Sequence, residues 1–219
     1  MGQADLLKLE VHQAGKSRLR QTVRVSDDVL SSYPAPAGRS IAKEITRLDE
    51  HCRAFLALCT FAVLSSTTPD GEPDVAPRGG EPGFLRVCDE QTLILPDRVG
   101  NNRLDSLRKI ARNPRVALLC MVPGFDETLR IYGSADLRTF ETRTAETAPI
   151  DADEKGRPPR SVMVIRVDRA FMHCPKALMR GRLWDPDVRV PRSTFASLGE
   201  VLRAHSGAGR HDDRQMNTR

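Results

Sequence analysis

The segment spanning residues 93–133 constrains the fold most, because it alternates short apolar runs with polar turns around one short helix. Residues 93–95 form a strand-like run, and a polar turn follows them. Helical spacing extends over about residues 103–112, and the Asn-Pro pair that comes next ends the helix. Residues 116–122 then predict a buried strand.

The start of this helix is a candidate anion site. Asn101 or Asn102 is a favourable N-cap, and the amides of a first helical turn carry partial positive charge. Arg98 and Arg103 bracket the cap, and Asp105 is placed to accept a hydrogen bond from a neighbouring arginine. Free amides beside guanidinium groups are suited to a phosphate. The sequence therefore predicts a phosphate cradle here.

The remaining segments predict a small antiparallel barrel with helices outside it. Ser40 caps a predicted helix over residues 41–57, in which apolar residues recur at helical spacing. Strand-like runs separated by tight turns occupy residues 61–68, 74–80, 84–87, 128–137 and 162–167. A bulge is expected at Gly133. This order predicts a mainly β fold of six or seven strands with flanking helices.

Composition narrows the functional class. The net charge of +5 is modest, and aromatic residues make up only 5%, which argues against a stacking platform for nucleic acid. The five cysteines include no C-x-x-C pair, which is typical of reduced intracellular thiols. No apolar leader is present, and no window approaches the roughly 18 apolar residues of a membrane span. We therefore expect a soluble, cytoplasmic protein that binds neither membranes nor nucleic acid.

Arg78 forms a second candidate site. It ends a predicted strand, and Gly79 and Gly80 follow it. Glycine lets a flat ligand approach the backbone closely, so this position favours a planar ligand near Arg78.

The segment after the last strand contributes a third group. His173 and Cys174 are adjacent and have no second ligand pair, which argues against a metal site or a thiol nucleophile. Lys176 and Arg182 add positive charge, and Trp184 is suited to bordering a planar ring. No acid–base pair is recognisable, so the sequence identifies no catalytic residue and no metal ligand.

These motifs together resemble the pyridoxamine 5'-phosphate oxidase-like family, the FMN-binding split barrels, and in particular a bacterial branch of it. The resemblance covers residues 38–186, in ordered blocks at residues 48–55, 74–79, 95–105, 113–116, 127–130 and 173–178. It implies a six-stranded antiparallel split β-barrel over residues 39–186. Residues 1–38 would form an N-terminal extension, and residues 187–219 a partly disordered C-terminal one.

The resemblance also implies a homodimer that holds FMN at its interface. Arg78 would contact the flavin or its phosphate, and Arg98, Asn102 and Arg103 would bind the phosphate. The backbone of Leu95, Pro96 and Asp97 would face the isoalloxazine edge. Lys176, Arg182 and Trp184 would come from the partner subunit.

Two departures from the family argue against vitamin B6 as the substrate. An Arg-x-His substrate motif is missing after Trp184, and Gly-Asn-Asn-Arg stands where the family has a Ser-Arg-Lys triplet. The expected function is an FMN-dependent oxidoreductase that acts on an unidentified small molecule. Two alternatives stay open: a non-catalytic flavin or haem binder of the same fold, with His173 as the axial-ligand candidate, and a deazaflavin-dependent reductase.

Overall fold

The computed structural model describes residues 27–98, 100, 102–139 and 156–206. The chain divides into two units, Met1–Ala42 and Lys43–Arg219. The first unit contains two short helices, α1 (Asp27–Ser31) and α2 (Gly38–Ala42). The predicted C-terminal extension, residues 187–219, is described as far as residue 206, and residues 207–219 lie outside the described part of the chain.

The second unit is built on one antiparallel sheet. Its strands are β1 (Phe61–Thr67), β2 (Pro73–Gly79), β3 (Arg86–Val87), β4 (Thr92–Asp97), β5 (Arg115–Met121), β6 (Thr128–Thr139) and β7 (Ser161–His173). Its helices are α3 (Glu50–Leu58), α4 (Asp105–Arg112), α5 (Lys176–Gly181) and α6 (Leu198–Ser206), with 3₁₀ turns at Pro186–Val188 and Arg192–Thr194.

The sheet has the strand order β2-β1-β5-β6-β7-β4-β3. The mainly β class with flanking helices is confirmed. The described residues form seven strands, which agrees with the six or seven predicted from the segments, whereas the resemblance implied six; the two-residue β3 is an edge strand. Within the described residues the edge strands β2 and β3 do not pair, so hydrogen bonds do not close the sheet into a ring.

The core lies between the sheet and the helices α3 and α4. Helix α3 buries Cys52, Phe55 and Leu56. Strands β1 and β5 bury every second residue, as a half-covered sheet requires. Strand β4 differs, because its first five residues are all buried, so that both of its faces are covered.

The helix predicted over residues 41–57 is wrong in extent. Two helices, α2 and α3, occupy this region instead, and Ser40 lies inside α2 rather than capping it. Ile45 exchanges two backbone hydrogen bonds with Ala170 of β7, which a helical residue cannot do. Asp49 then starts α3 by accepting a hydrogen bond from the backbone amide of Cys52 at 2.8 Å.

The bulge predicted at Gly133 is confirmed. The register between β6 and β7 shifts between Tyr132 and Gly133. A Cβ atom at Gly133 would overlap the carbonyl oxygen of Arg166, so the close approach of the two strands requires glycine.

Strand β7 is longer than predicted. The sequence predicted a strand over residues 162–167, but β7 continues to His173. Its second half pairs with β6 on one edge and with Ile45 on the other, and α5 begins only at Lys176. No helix in the described ranges is long and apolar enough to cross a bilayer.

Candidate cofactor-binding site

A cavity of about 930 Å³ lies beside the ends of β2 and β4. The turn between β4 and α4 forms another wall, together with the first residues of α4 and the start of β7. Seven of the ten residues predicted to bind the cofactor line it, namely Arg78, Leu95, Pro96, Asp97, Arg98, Asn102 and Arg103.

Arg78 presents an incompletely satisfied guanidinium group at this cavity. Its Nη1 donates to the carbonyl oxygen of Pro77 at 2.9 Å, but its buried Nε has no hydrogen-bond partner. Burial lowers the pKa of Arg78, and the carboxylates of Asp97 and Asp74 partly offset this effect. A buried N–H without an acceptor is costly, so this group is suited to an incoming anion.

Arg98 repeats this feature on the neighbouring wall. It follows β4 directly, and its Nη1 is also buried without a hydrogen-bond partner. Three side-chain nitrogens of this kind are found in the described part of the chain, and two of them belong to residues that line the cavity.

The turn that leads into α4 does not have the predicted N-cap. The N-cap position is Leu104, with φ 60° and no side-chain capping bond, and the helix begins at Asp105 rather than near residue 103. Asn102 also has a positive φ of 59°, and Asn101 lies outside the described residues. Left-handed geometry is costly for leucine, and such strain is common at binding sites.

Arg103 is paired within this turn. Its Nε lies 2.8 Å from the Asp105 carboxylate, as the sequence suggested, and its side chain is 75% exposed. Part of its charge is therefore already neutralised by Asp105.

Two sets of contacts hold α4 against β2. Ser106 Oγ donates to Asp74 Oδ2 at 2.7 Å, and Ser66 Oγ approaches the same oxygen at 3.4 Å. One turn further along α4, Lys109 Nζ contacts Glu72 at 2.8 Å and the carbonyl oxygen of Pro73 at 3.2 Å. These contacts fix the turn before α4 opposite Arg78.

Asp97 places a carboxyl group between arginines at the cavity. Burial raises its pKa, and the positive charges of Arg78 and Arg160 partly counter that effect. Its proton affinity is thus set by the cavity rather than by a direct ion pair.

The sequence analysis missed several lining residues, including Asp74, Phe84, Ser106, Arg160 and Ser161. Arg160 and Ser161 come to the cavity because Ser161 pairs with Asp97 in the β4–β7 ladder. The alternating apolar run after residue 161 signalled β7, but no local pattern identified β4 as its neighbour.

Lys176, Arg182 and Trp184 do not line the cavity of their own chain. Arg182 has a φ of 48° and bonds Asp185 through Nε at 2.8 Å. The indole N–H of Trp184 donates to the carbonyl oxygen of Phe125 at 2.7 Å. The segment that carries them is thereby attached to the turn between β5 and β6.

His173 lies at the far end of β7 from the cavity. Its Nδ1 is buried and has no hydrogen-bond partner. Burial lowers the pKa of His173, and the charges of Arg130 and Lys43 lower it further. Within the described residues, no group of three or more His, Cys, Asp and Glu side chains is arranged to hold a metal ion.

The fold and this cavity define a class of antiparallel β-sheet protein with an arginine-rich cavity at the ends of its strands. A family profile described as "Pyridoxamine 5'-phosphate oxidase" matches residues 48–174, more than half of the chain. The chain belongs to this family. The resemblance found in the sequence is thus confirmed, and so is the split-barrel class of the fold.

Several solved structures are similar to this chain. HupZ of Group A Streptococcus is 18% identical over 57% of this chain and 92% of its own, with a TM-score of 0.44. General stress protein 26 of Bacillus anthracis is 14% identical over 55% and 88%, with a TM-score of 0.37. A heme binding protein of Mycobacterium smegmatis is 16% identical over 55% and 51%, with a TM-score of 0.38. A search of the curated proteins gives no match.

Proposed function

We propose that the chain binds FMN and acts as an oxidoreductase on a small molecule other than vitamin B6. The buried, unpaired guanidinium nitrogens of Arg78 and Arg98 at one cavity carry this proposal. Buried N–H groups without acceptors cost free energy, and a phosphate dianion offers charged oxygens to both. Arg103, Asn102 and the uncapped first turn of α4 add further donors on the same side.

The open edge of β4 suits the isoalloxazine ring. Strand β3 pairs only with Leu93 and Ile94, so within the described residues the β4 backbone from Leu95 to Asp97 has no strand partner on that edge. Backbone groups on an unpaired edge are available to a ligand. We propose that Leu95, Pro96 and Asp97 border the ring.

The redox chemistry would belong to the cofactor. When bound, FMN supplies the hydride or electron transfer, and the protein binds it, orients it and limits the access of water. The cavity residues therefore need no acid–base pair, and we assign them binding and orienting roles only.

We propose that the active form is a homodimer. The face of the sheet opposite α3 and α4 carries partly buried apolar side chains in neighbouring strands, among them Val63, Leu119 and Phe171. A sheet face of this kind needs a cover, and a second copy of the chain supplies one. In such a dimer Lys176, Arg182 and Trp184 would reach the cavity of the other subunit.

A cofactor titration tests the proposed function. The purified protein is titrated with FMN, riboflavin and a deazaflavin, and the change in cofactor fluorescence is measured. We expect FMN to bind at least tenfold more tightly than riboflavin, because its phosphate makes charge-assisted bonds to the arginines. Equal affinity for FMN and riboflavin would contradict the phosphate site. Preference for the deazaflavin would favour the reductase alternative.

One observation favours the haem-binding alternative. The buried Nδ1 of His173 has no partner, and its lowered pKa keeps the imidazole neutral, the form that binds iron. A haem titration that gives a Soret band in the wild type but not in His173→Ala would support this alternative. No difference between the two proteins would exclude His173 as the axial ligand.

A further inference from the structure

Two arginines flank the end of the antiparallel pairing of β4 with β7. Asp97 and Ser161 form the last pair of this ladder, so Arg98 directly follows it on one chain segment and Arg160 directly precedes it on the other. Both residues line the cavity. Two positive charges at the same end of a strand pair repel each other, so this arrangement has a cost in the absence of an anion.

Neither arginine of this pair is matched to a carboxylate at ion-pair distance in the described structure. Arg98 Nη1 is buried and has no partner. Arg160 Nη1 lies 3.4 Å from Asn102 Oδ1, which is a neutral acceptor. Arg103 differs, because Asp105 already holds it at 2.8 Å.

We infer that Arg98 and Arg160 form a two-arginine clamp for a phosphate dianion. This inference rests on the proposed function, in which the dianion is the phosphate of FMN, and it adds Arg160 to the residues that bind it. Planar guanidinium groups on neighbouring chain segments each offer two parallel N–H donors, which matches the oxygens of a phosphate. An anion shared by both groups also removes the repulsion between them.

The start of β7 fixes Arg160 in place for this role. Pro159 is buried directly before it, and Ser161 directly after it pairs with both Asp97 and Thr139. The side chain of Arg160 is exposed, but its backbone is held between these two anchors and loses less conformational freedom on binding than the backbone of a free loop. Arg160 is therefore expected to contribute more to phosphate binding than Arg103.

A double-mutant cycle tests the clamp. Arg98→Gln, Arg160→Gln and the double variant are titrated with FMN and with riboflavin. Each single change is expected to weaken FMN binding about ten- to a hundredfold, because one charge-assisted contact is lost. The fold-loss of FMN affinity in the double variant should be smaller than the product of the two single fold-losses, because both groups bind the same anion. Riboflavin affinity should change less than threefold in every variant, which is roughly the scatter for groups that make no contact.

The control lies in the same segment. Arg157→Gln removes one positive charge three residues before Arg160, at a position that does not line the cavity. Its FMN affinity should stay close to that of the wild type. Arg160→Lys keeps the charge but not the planar guanidinium group, so its FMN affinity should lie between that of the wild type and that of Arg160→Gln. Circular dichroism confirms that each variant is folded.

The same variants distinguish a failed clamp from a failed function. Thermal unfolding with and without inorganic pyrophosphate serves as a second readout. In one outcome, the wild type fails to bind FMN while pyrophosphate still raises its Tm. If Arg160→Gln then abolishes that rise in Tm, the result supports the clamp and contradicts the flavin proposal. Three results would overturn the clamp. They are affinity losses that multiply strictly in the double variant, an Arg160→Gln loss of affinity no larger than that of Arg157→Gln, and a wild type that binds neither FMN nor pyrophosphate.

Discussion

Arg78 shows how one side chain at the cavity trades stability for binding. Its Nε is buried without an acceptor, and burial lowers its pKa. Such a group destabilises the protein until a ligand completes its hydrogen bonds. Binding sites commonly keep this kind of cost because optimising stability there removes function.

Replacing Arg78 with methionine should therefore stabilise the protein and impair binding. We expect the free energy of unfolding without ligand to rise by about 1–3 kcal/mol, because a buried donor without a partner is removed. FMN affinity should fall at least tenfold. Urea unfolding and fluorescence titration measure the two effects. Arg86→Met, at an exposed position of β3, is the control and should change neither; a less stable Arg78→Met protein would refute the argument.

Asp97 should make stability depend on pH in the sense opposite to that of a salt-bridged carboxylate. Burial raises its pKa in the folded state, so the folded protein holds this proton more tightly than the unfolded chain does. Stability is then lost as the pH rises from the ordinary carboxyl value of 3.8 through the raised value, and it is regained in acid. Asp97→Asn removes this loss.

We expect Asp97→Asn to have a higher Tm than the wild type at pH 7 and to lose that advantage as the pH falls through the raised pKa of Asp97 towards 3.8. FMN should also bind more tightly to the variant, because a negative charge near the phosphate is gone. Thermal scans across pH check the first effect, with the exposed Glu127→Gln as the control. An advantage that persists in strong acid would mean that Asp97 acts through packing rather than through its charge.

At the residue scale, the sequence predicts the arginines near the phosphate turn but not all of their partners. Arg78 and Arg98 stand out because turn and glycine signals surround them. Arg160 does not, because its place depends on the pairing of β7 with β4, which are more than 60 positions apart in the chain. The N-cap was assigned to an asparagine on intrinsic preference, whereas the tertiary contacts of Ser106 set the start of α4 at Asp105.

At the element scale, α4 acts as a support for the phosphate turn. Ser106 is 4% exposed and donates to Asp74, which lies on β2 four residues before Arg78. Lys109 adds a second attachment, to Glu72. Helix and strand thus hold the turn and Arg78 in one fixed relation across the cavity.

Ser106→Ala should loosen this support. The lost hydrogen bond ends on a carboxylate, so unfolding should become easier by about 1.5–3 kcal/mol. FMN affinity should fall several-fold although Ser106 is assigned no contact with the cofactor, because the turn is less well positioned. Ser40→Ala, at an exposed position of α2 that does not line the cavity, is the control. A stability loss without any change in affinity would show that α4 does not position the turn.

Elements with strong local signals were predicted well, and elements defined by long-range pairing were not. Gly133 marked its bulge because close strand contact excludes a side chain. The region of Ile45 has helical spacing, yet its backbone pairs with Ala170 in a strand that begins more than 100 residues later. Strand β7 extends to His173 for the same reason, since β6 and Ile45 provide partners that no local pattern reveals.

At the scale of the whole molecule, β7 separates the two predicted parts of the site. Its start borders the cavity, whereas Lys176 and Trp184 follow its far end. Thirteen strand residues span roughly 40 Å, so one chain cannot use both ends of β7 at the same cavity unless the strand coils back on itself. The proposed dimer would remove this difficulty, because the Trp184 segment of a second subunit would approach the first subunit's cavity.

Mixing two defective variants tests this arrangement. One variant, Arg78→Gln with Arg98→Gln, lacks the cavity arginines, and the other, Lys176→Ala with Trp184→Ala, lacks the distal residues. We expect each alone to bind FMN at least tenfold more weakly, since each loses contacts to the cofactor or to its phosphate.

A mixed dimer has one cavity in which intact arginines meet an intact distal segment from the other subunit. Unfolding and refolding the two together should therefore restore tight FMN binding at one site per mixed dimer, measured by equilibrium dialysis after separation on orthogonal affinity tags. Each variant refolded alone is the control. If the distal residues serve their own subunit's cavity, the mixed dimer contains no intact site, and binding stays as weak as in the two parents.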